Sequence, residues 1–276
     1  MNMLRTVFLL TLLTAVLVWV GGLVGGRSGM MIALGFGLLM NFVNYWFSGP
    51  MVLKAYRARV LEPGEFPELE ADVRDMTERA GMPMPRLAVI PNDAPNAFAT
   101  GRNPSHAVVA VTEGLLRLCS RREVKAVLGH ELGHVRNRDM LTMTLVAGAV
   151  SAISMLAQFG MFFGHRSRDD EGPGALGILA VVFAPLIAML VQMAISRTRE
   201  YGADDEGASL SGDPGALADA LERLHSAIPH RAPLSATGAT AHMMIANPFF
   251  GMGQLFSTHP SPEKRIARLR AMAAGR

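Results

Sequence analysis

The chain opens on two apolar runs, Thr6 to Gly26 and Gly29 to Phe47, separated by little more than Arg27 and Ser28. Each is about 20 residues long, the length a helix needs to cross a hydrocarbon core, so residues 1–49 are expected to form a transmembrane hairpin. A cleaved signal peptide is the competing reading of the first run, but no Ala-x-Ala-like site follows it and the second run begins almost at once. Met140 to Phe163 and Ala175 to Ile195 form a second apolar pair, softened by Thr142, Thr144, Ser151, Ser154, Gln158 and Gln192 and interrupted by Pro185. Buried helices of a soluble domain would share this pattern. Length and lack of charge favour two more spans over 140–195, with the polar side chains turned into the bundle.

Between the pairs, over 50–139, the period changes. Leu69, Val73, Met76 and Ala80 mark one face of a helix that Gly81 ends and that Pro83 and Pro85 cannot continue. Leu87 to Ile90, Ala97 to Thr100 and Ala107 to Val111 are short β-prone runs separated by turn residues, which predicts a small sheet. Ser120-Arg121-Arg122-Glu123 reads as a capping box that opens a helix through Val124, Val127 and Leu128. The last segment, 196–276, is α-rich: Asp213-Pro214 and Ser261-Pro262 each place an N-cap before a proline at the first helical position. Within it, the Ala-, Gly-, Thr- and Met-rich stretch 231–256 is expected to be a mobile loop.

Half of the 276 residues are hydrophobic and the mean hydropathy is positive, which strengthens the membrane reading. With 26 Lys and Arg against 23 acidic residues, the net charge of +3 is too small and too dispersed for a nucleic-acid surface. Its distribution says more. Four spans leave the N-terminus, 50–139 and 196–276 on one side, where Arg5, Lys54, Arg57, Arg59, Arg136, Arg138, Arg197 and Arg199 flank the spans. The opposite loops carry Arg27, Arg166 and Arg168, the last two beside Asp169, Asp170 and Glu171. By the positive-inside rule the common side, with both termini, is the cytoplasm. The single cysteine, Cys119, excludes an intramolecular disulfide, argues against a cysteine-based zinc site, and reads as a small buried hydrophobe. Any metal must be held by His and carboxylate.

His130-Glu131-Leu132-Gly133-His134 fits the HExxH pattern, in which two histidines four apart on a helix face the same way and bind one Zn²⁺. Glu131 lies beside that face, placed to take a proton from a water whose pKa zinc lowers towards 7 and to pass it to a leaving amine. Glycine costs about 1 kcal/mol relative to alanine in a helix, so Gly133 suggests that something approaches the backbone closely there. A catalytic zinc takes three protein ligands, which leaves one to find. If the His134 helix runs on to the span at Met140, His134 stands about 9 Å above that boundary, and Glu200, past Ile195, stands about 7.5 Å above the same face. Antiparallel spans then bring both to one level. Asp204, one turn on, could accept the outer N–H of a ligand histidine. The plainer alternative pairs Glu200 and Asp204 with Arg197 or Arg199 on a solvated face. His106, His165, His225, His230 and His242 lack ligand spacing and read as surface or packing residues.

Together with the HExxH segment, Glu200-Tyr201-Gly202-Ala203-Asp204, Asn96-Ala97-Phe98-Ala99-Thr100-Gly101 and Thr258-His259-Pro260 resemble the HtpX family of bacterial membrane zinc proteases, over nearly the whole chain. The resemblance implies Glu200 as the third ligand of one Zn²⁺ per chain, and an edge strand near the substrate at Asn96, Ala97, Phe98 and Ala99. It also implies a role in quality control at the bacterial inner membrane under stress, with unfolded or damaged membrane proteins as substrates and the lipid bilayer as surroundings. The expected fold is an α-rich integral membrane protein: four transmembrane helices and a zincin-like (gluzincin) catalytic domain carrying a small β-sheet. An edge strand has a physical logic of its own, since an extended substrate can pair with its free N–H and C=O groups, although an ordinary turn and strand also fits these residues. His259 could donate to the oxyanion of the tetrahedral intermediate, or it could cap or cover the helix that follows. Whether the chain forms a homo-oligomer stays open.

Two other classes fit parts of this. A catalytically silent zinc-binding scaffold needs no base beside its metal, so the intact Glu131 argues against it. A metal transporter would place ligands at mid-membrane, whereas His130 and His134 precede the third span and Glu200 follows the fourth. A His₂Glu set also accepts cobalt or manganese.

Overall fold

The structure, a computed structural model, describes residues 2–163, 175–227 and 261–275. In chain order its elements are α1 (Asn2–Ala55), β1 (Arg59–Val60), α2 (Pro67–Ala80), β2 (Arg86–Ile90), β3 (Ala97–Thr100), β4 (Val108–Thr112), α3 (Glu113–Leu118), α4 (Arg121–Arg136), α5 (Asp139–Phe163), α6 (Ala175–Ser211), α7 (Pro214–Ala227) and α8 (Pro262–Ala274). They fall into two compact units, one from residues 1–46 and 142–195, the other from 47–141 and 196–276. The stretches 164–174 and 231–256, and His165, His230, His242 and His259, lie outside the described residues.

In the first unit α1 breaks at Gly25 and at Gly26, whose φ of 57° and ψ of −144° belong to a region closed to residues with a side chain. Its two limbs fold back on each other. A Cβ on Gly37 would sit 2.5 Å from Leu17 Cδ2, and one on Gly21 2.5 Å from the Ala33 Cβ, so the limbs touch where their side chains are smallest. Leu13, Leu17, Val20 and Ala33 pack with Met143, Val146 and Ile153 of α5 and with Ala184 and Ala188 of α6. The expected four spans are met only in part. Among the described residues Gly25–Phe47 is the one segment long and apolar enough to cross a membrane, while Thr11–Leu23 and Leu145–Met155 are shorter apolar stretches. Thr142, Thr144 and Gln158 bound the second of these, and Pro185 and Gln192 interrupt the run in α6.

In the second unit the four described strands form a mixed sheet in the order β1-β2-β4-β3. β2 and β4 run parallel, from Arg86 opposite Val108 to Ile90 opposite Thr112, and β3 pairs antiparallel with β4, Ala97 opposite Val111. Both faces are covered, which is why the strands read as continuous apolar runs rather than alternating ones. Leu87, Val89, Ala97, Ala99, Val109 and Val111 pack into the main core with Leu69, Val73 and Met76 of α2 and Val124, Val127 and Leu128 of α4. Ala88, Ile90, Phe98, Val108 and Ala110 pack on the other side around Val52, at the end of α1. The α2 face is Leu69, Val73, Met76 and Thr77, and Gly81 ends the helix in the left-handed region at φ 62°. Asp213 accepts from the Ala216 N–H at 2.9 Å, as an N-cap should. Ser261 holds the matching position before α8 but makes no side-chain cap bond.

Candidate active site

α4 begins where the residues dictate. Ser120 Oγ accepts from the Glu123 N–H at 3.4 Å, and the Glu123 carboxylate accepts from the Ser120 N–H at 2.7 Å, closing the capping box. Two turns on, the helix meets α6 at the backbone. A Cβ on Gly133 would lie 3.1 Å from the Ala203 carbonyl, and one on Gly207 would lie 2.7 Å from the His130 backbone nitrogen. These contacts account for the glycine between the histidines, and they set α6 close enough for its carboxylates to reach them.

His130 Nε2 and His134 Nε2 are 3.2 Å apart. Glu200 Oε2 is 3.7 Å from the first and Glu200 Oε1 3.6 Å from the second. Among the described residues this is the group of His, Cys, Asp and Glu side chains whose donor atoms, all within 4.8 Å of one another, could hold a metal ion. Zinc at a tetrahedral site with Zn–N of about 2.05 Å separates its nitrogens by about 3.3 Å, so the spacing fits that ion. Burial, with the Arg265 charge and His134 beside it, lowers the His130 pKa despite Asp204, so this imidazole is neutral, the form a metal needs.

Each histidine is gripped from behind. His130 Nδ1 lies 3.1 Å from Asp204 Oδ1, as expected for an outer N–H donor. His134 Nδ1 lies 3.0 Å from Asp139 Oδ2, a partner that sequence reasoning did not name. Arg265 of α8 was missed as well. Only 2% exposed, it donates through Nε and Nη2 to both Asp204 oxygens, at 2.8 and 2.6 Å, and its Nη1 is 3.0 Å from Glu200 Oε2. Burial opposes its charge, but Asp204 and Glu200 outweigh burial and hold it protonated. A signal existed: Arg265 precedes Leu269 by one helical turn and so belongs to the buried stripe of α8. The pairing of Glu200 and Asp204 with Arg197 or Arg199 on a solvated face is replaced by this buried one; Arg199 pairs instead with Asp139. Three buried carboxylates, Asp139, Glu200 and Asp204, thus meet two guanidiniums.

Glu131 is 3% exposed. Burial raises its pKa to about 7, Glu200 adding to the effect while His134, the Ala99 N–H and Arg265 oppose it. The Ala99 N–H belongs to β3, the strand at the sheet edge, so this edge adjoins the carboxylate. Phe98 is turned to the opposite face, its ring 5.5 Å from that of Tyr56, and anchors the strand. Asn96 Oδ1 accepts from the Ala97 N–H at 2.9 Å, and Thr112 Oγ1 accepts from the Asn96 N–H at 2.8 Å, which fixes where β3 begins.

One premise behind the third ligand is corrected. The His134 helix does not continue into the next apolar run: α4 ends at Asn137, Arg138 takes a left-handed φ of 55°, and α5 starts afresh at Asp139. Glu200 reaches the histidines because α6 runs unbroken through it and packs on α4 through glycine.

A buried His-His-Glu cluster with a carboxylate beside it defines a zinc metalloendopeptidase, here a membrane-associated one. The chain belongs to peptidase family M48, which it matches over residues 63–273. It is 51% identical to a protease HtpX homolog of Thermococcus sibiricus, over 98% of this chain and 96% of that protein. It is 50% identical to one of Ralstonia pickettii, over 99% and 97%. The crystal structure of S. mikatae Ste24p shares the fold, with a TM-score of 0.55 at 19% identity, the match covering 87% of this chain and 57% of that one. The chain therefore spans little more than half the length of that structure.

Proposed function

We propose that His130, His134 and Glu200 hold one Zn²⁺ per chain, that Glu131 is the general base, and that the enzyme cuts unfolded or damaged membrane proteins as part of stress quality control. The observation that carries this reading is the convergence of two imidazole Nε2 atoms 3.2 Å apart with a buried carboxylate that touches a sheet edge. When bound, zinc supplies Lewis-acid chemistry, polarising the scissile carbonyl and making water acidic enough to lose a proton near neutral pH. The protein supplies the rest. A substrate segment adds to the outer edge of β3, where the Ala99 N–H meets Glu131, backbone to backbone, which sets its register without reading its side chains. Glu131 takes the proton of the attacking water and returns it to the leaving amine, so no covalent intermediate with the protein is needed. Asp204 and Arg265 keep His130 fixed during this transfer. His259 is proposed as a donor to the developing oxyanion.

The four apolar runs are proposed to cross the inner membrane, with the peptidase unit and both termini in the cytoplasm. The break at Gly25 and Gly26 and the lengths of α5 and α6 support this. The test is cleavage of casein by the detergent-purified chain with zinc. Cleavage that a chelator abolishes, and that Glu131→Gln lowers by about 10²-fold or more at unchanged zinc content, is the expected result. One equivalent of zinc with no cleavage by either protein would instead make the chain a silent zinc-binding scaffold.

A further inference from the structure

His134 sits at the end of its helix, where a side chain has the least support. α4 closes at Asn137, whose N–H donates to the Gly133 carbonyl, while the Arg138 N–H donates to that of Val135. The next residue, Arg138, takes a φ of 55° that a non-glycine residue adopts at a cost of about 1 kcal/mol. That reversal turns the chain so that Asp139, five residues after His134 and off any continuous helical face, comes back to it. Asp139 is buried, 3% exposed. One of its oxygens lies 3.0 Å from His134 Nδ1 and the other pairs with Arg199 of α6. A carboxylate on Nδ1–H leaves the lone pair on Nε2, the atom that faces His130 and Glu200. Arg199 fixes the carboxylate in turn.

We infer that Asp139 is a positioning residue for His134, held in place by Arg199, and that the second histidine is a competent metal ligand only with this pair intact. The inference rests on the reading of His130, His134 and Glu200 as the metal site. The competing account makes Asp139 no more than a helix-opening residue, since a carboxylate in the first turn of α5 is favoured by the helix dipole whatever it touches. The two accounts separate on metal binding. Asparagine keeps a helix-opening side chain and an acceptor for Nδ1–H, but loses the charge and the Arg199 pair.

The experiment is zinc titration against a chelating indicator, with the detergent-purified full chain and its Asp139→Asn, Asp139→Ala and Arg199→Gln variants, each checked for folding. The visible absorption of bound Co²⁺ serves as a second readout of ligand geometry. Asp139→Ala is expected to weaken zinc binding about 10- to 100-fold and to change the Co²⁺ spectrum. Asp139→Asn should fall between that variant and the native chain. Arg199→Gln should weaken zinc binding although Arg199 is not a ligand. Zinc affinity within twofold of native in folded Asp139→Asn and Arg199→Gln would overturn the inference, and these variants decide it if Asp139→Ala does not fold. A native chain that binds no zinc would overturn the metal site itself, a distinct outcome.

Discussion

Burying a guanidinium as deeply as Arg265 costs several kcal/mol in lost hydration, which the Asp204 and Glu200 contacts offset. Removing one partner leaves the others charged and dry. Arg265→Met should therefore destabilise the metal-free protein to urea by about 3–5 kcal/mol. Lysine should recover only part of that, because an ammonium cannot span both Asp204 oxygens. Burial works to raise the Asp204 pKa, but the Arg265 charge and the His130 and Arg265 hydrogen bonds bring it down to about 2. The unfolded chain has an aspartate pKa of about 3.9. A depressed carboxylate stabilises fully above the unfolded value, so its contribution should fade as the pH drops from about 4 towards 2. Acid unfolding of the metal-free protein, compared with Asp204→Asn, checks this; the variant should show a flatter dependence over that range. The two histidines of the cluster were legible because HExxH is local, whereas Glu200 lies far along the chain. Asp139 and Arg265 were not, because one needs the reversal at Arg138 and the other the docking of a helix remote in sequence.

Two of the glycines of helix α6 have opposite roles. A Cβ on Gly207 would meet the His130 backbone at 2.7 Å, whereas one on Gly202 would meet nothing within 4 Å. Gly207→Ala should cost about 1–3 kcal/mol by prising α6 from α4, and should weaken zinc binding with it. Gly202→Ala should be neutral or stabilising by up to about 1 kcal/mol. Thermal unfolding of the two variants, with zinc titration, tests the pair. The close approach was readable at Gly133, where a helix-weakening residue stood between two ligands; its partner element was not. Likewise the capping box and the Gly81 stop were legible because they are made within a few residues. The sheet order was not, since parallel pairing of β2 with β4 and the short β1 depend on contacts across the unit.

At the scale of the molecule, the proposed topology can be mapped with a feature the sequence already supplies. Burial, with Glu123 adding and Arg223 opposing, raises the only thiol, Cys119, to about 11, so it should stay unlabelled by maleimide in the native protein. Cysteines introduced at Arg27 and at Lys54 can then be read one at a time. A membrane-impermeant maleimide should label the first in intact spheroplasts and the second only after lysis; labelling of both in intact spheroplasts would sink the four-span arrangement. The apolar runs made a membrane legible from the sequence; the number of crossings was less legible because polar residues sit inside the runs of α5 and α6. The place of Arg265 in the order of synthesis has a further consequence. A ribosome makes the histidines first, Glu200 and Asp204 next, and α8 after them, so a growing chain holds these two carboxylates before Arg265 exists to pair with them. An enzyme of the proposed kind, one that cuts unfolded chains, is itself unfolded while it is being made. Completing the site from a helix made after its histidines would keep each copy inert until that helix has docked, and so would spare other unfinished copies around it.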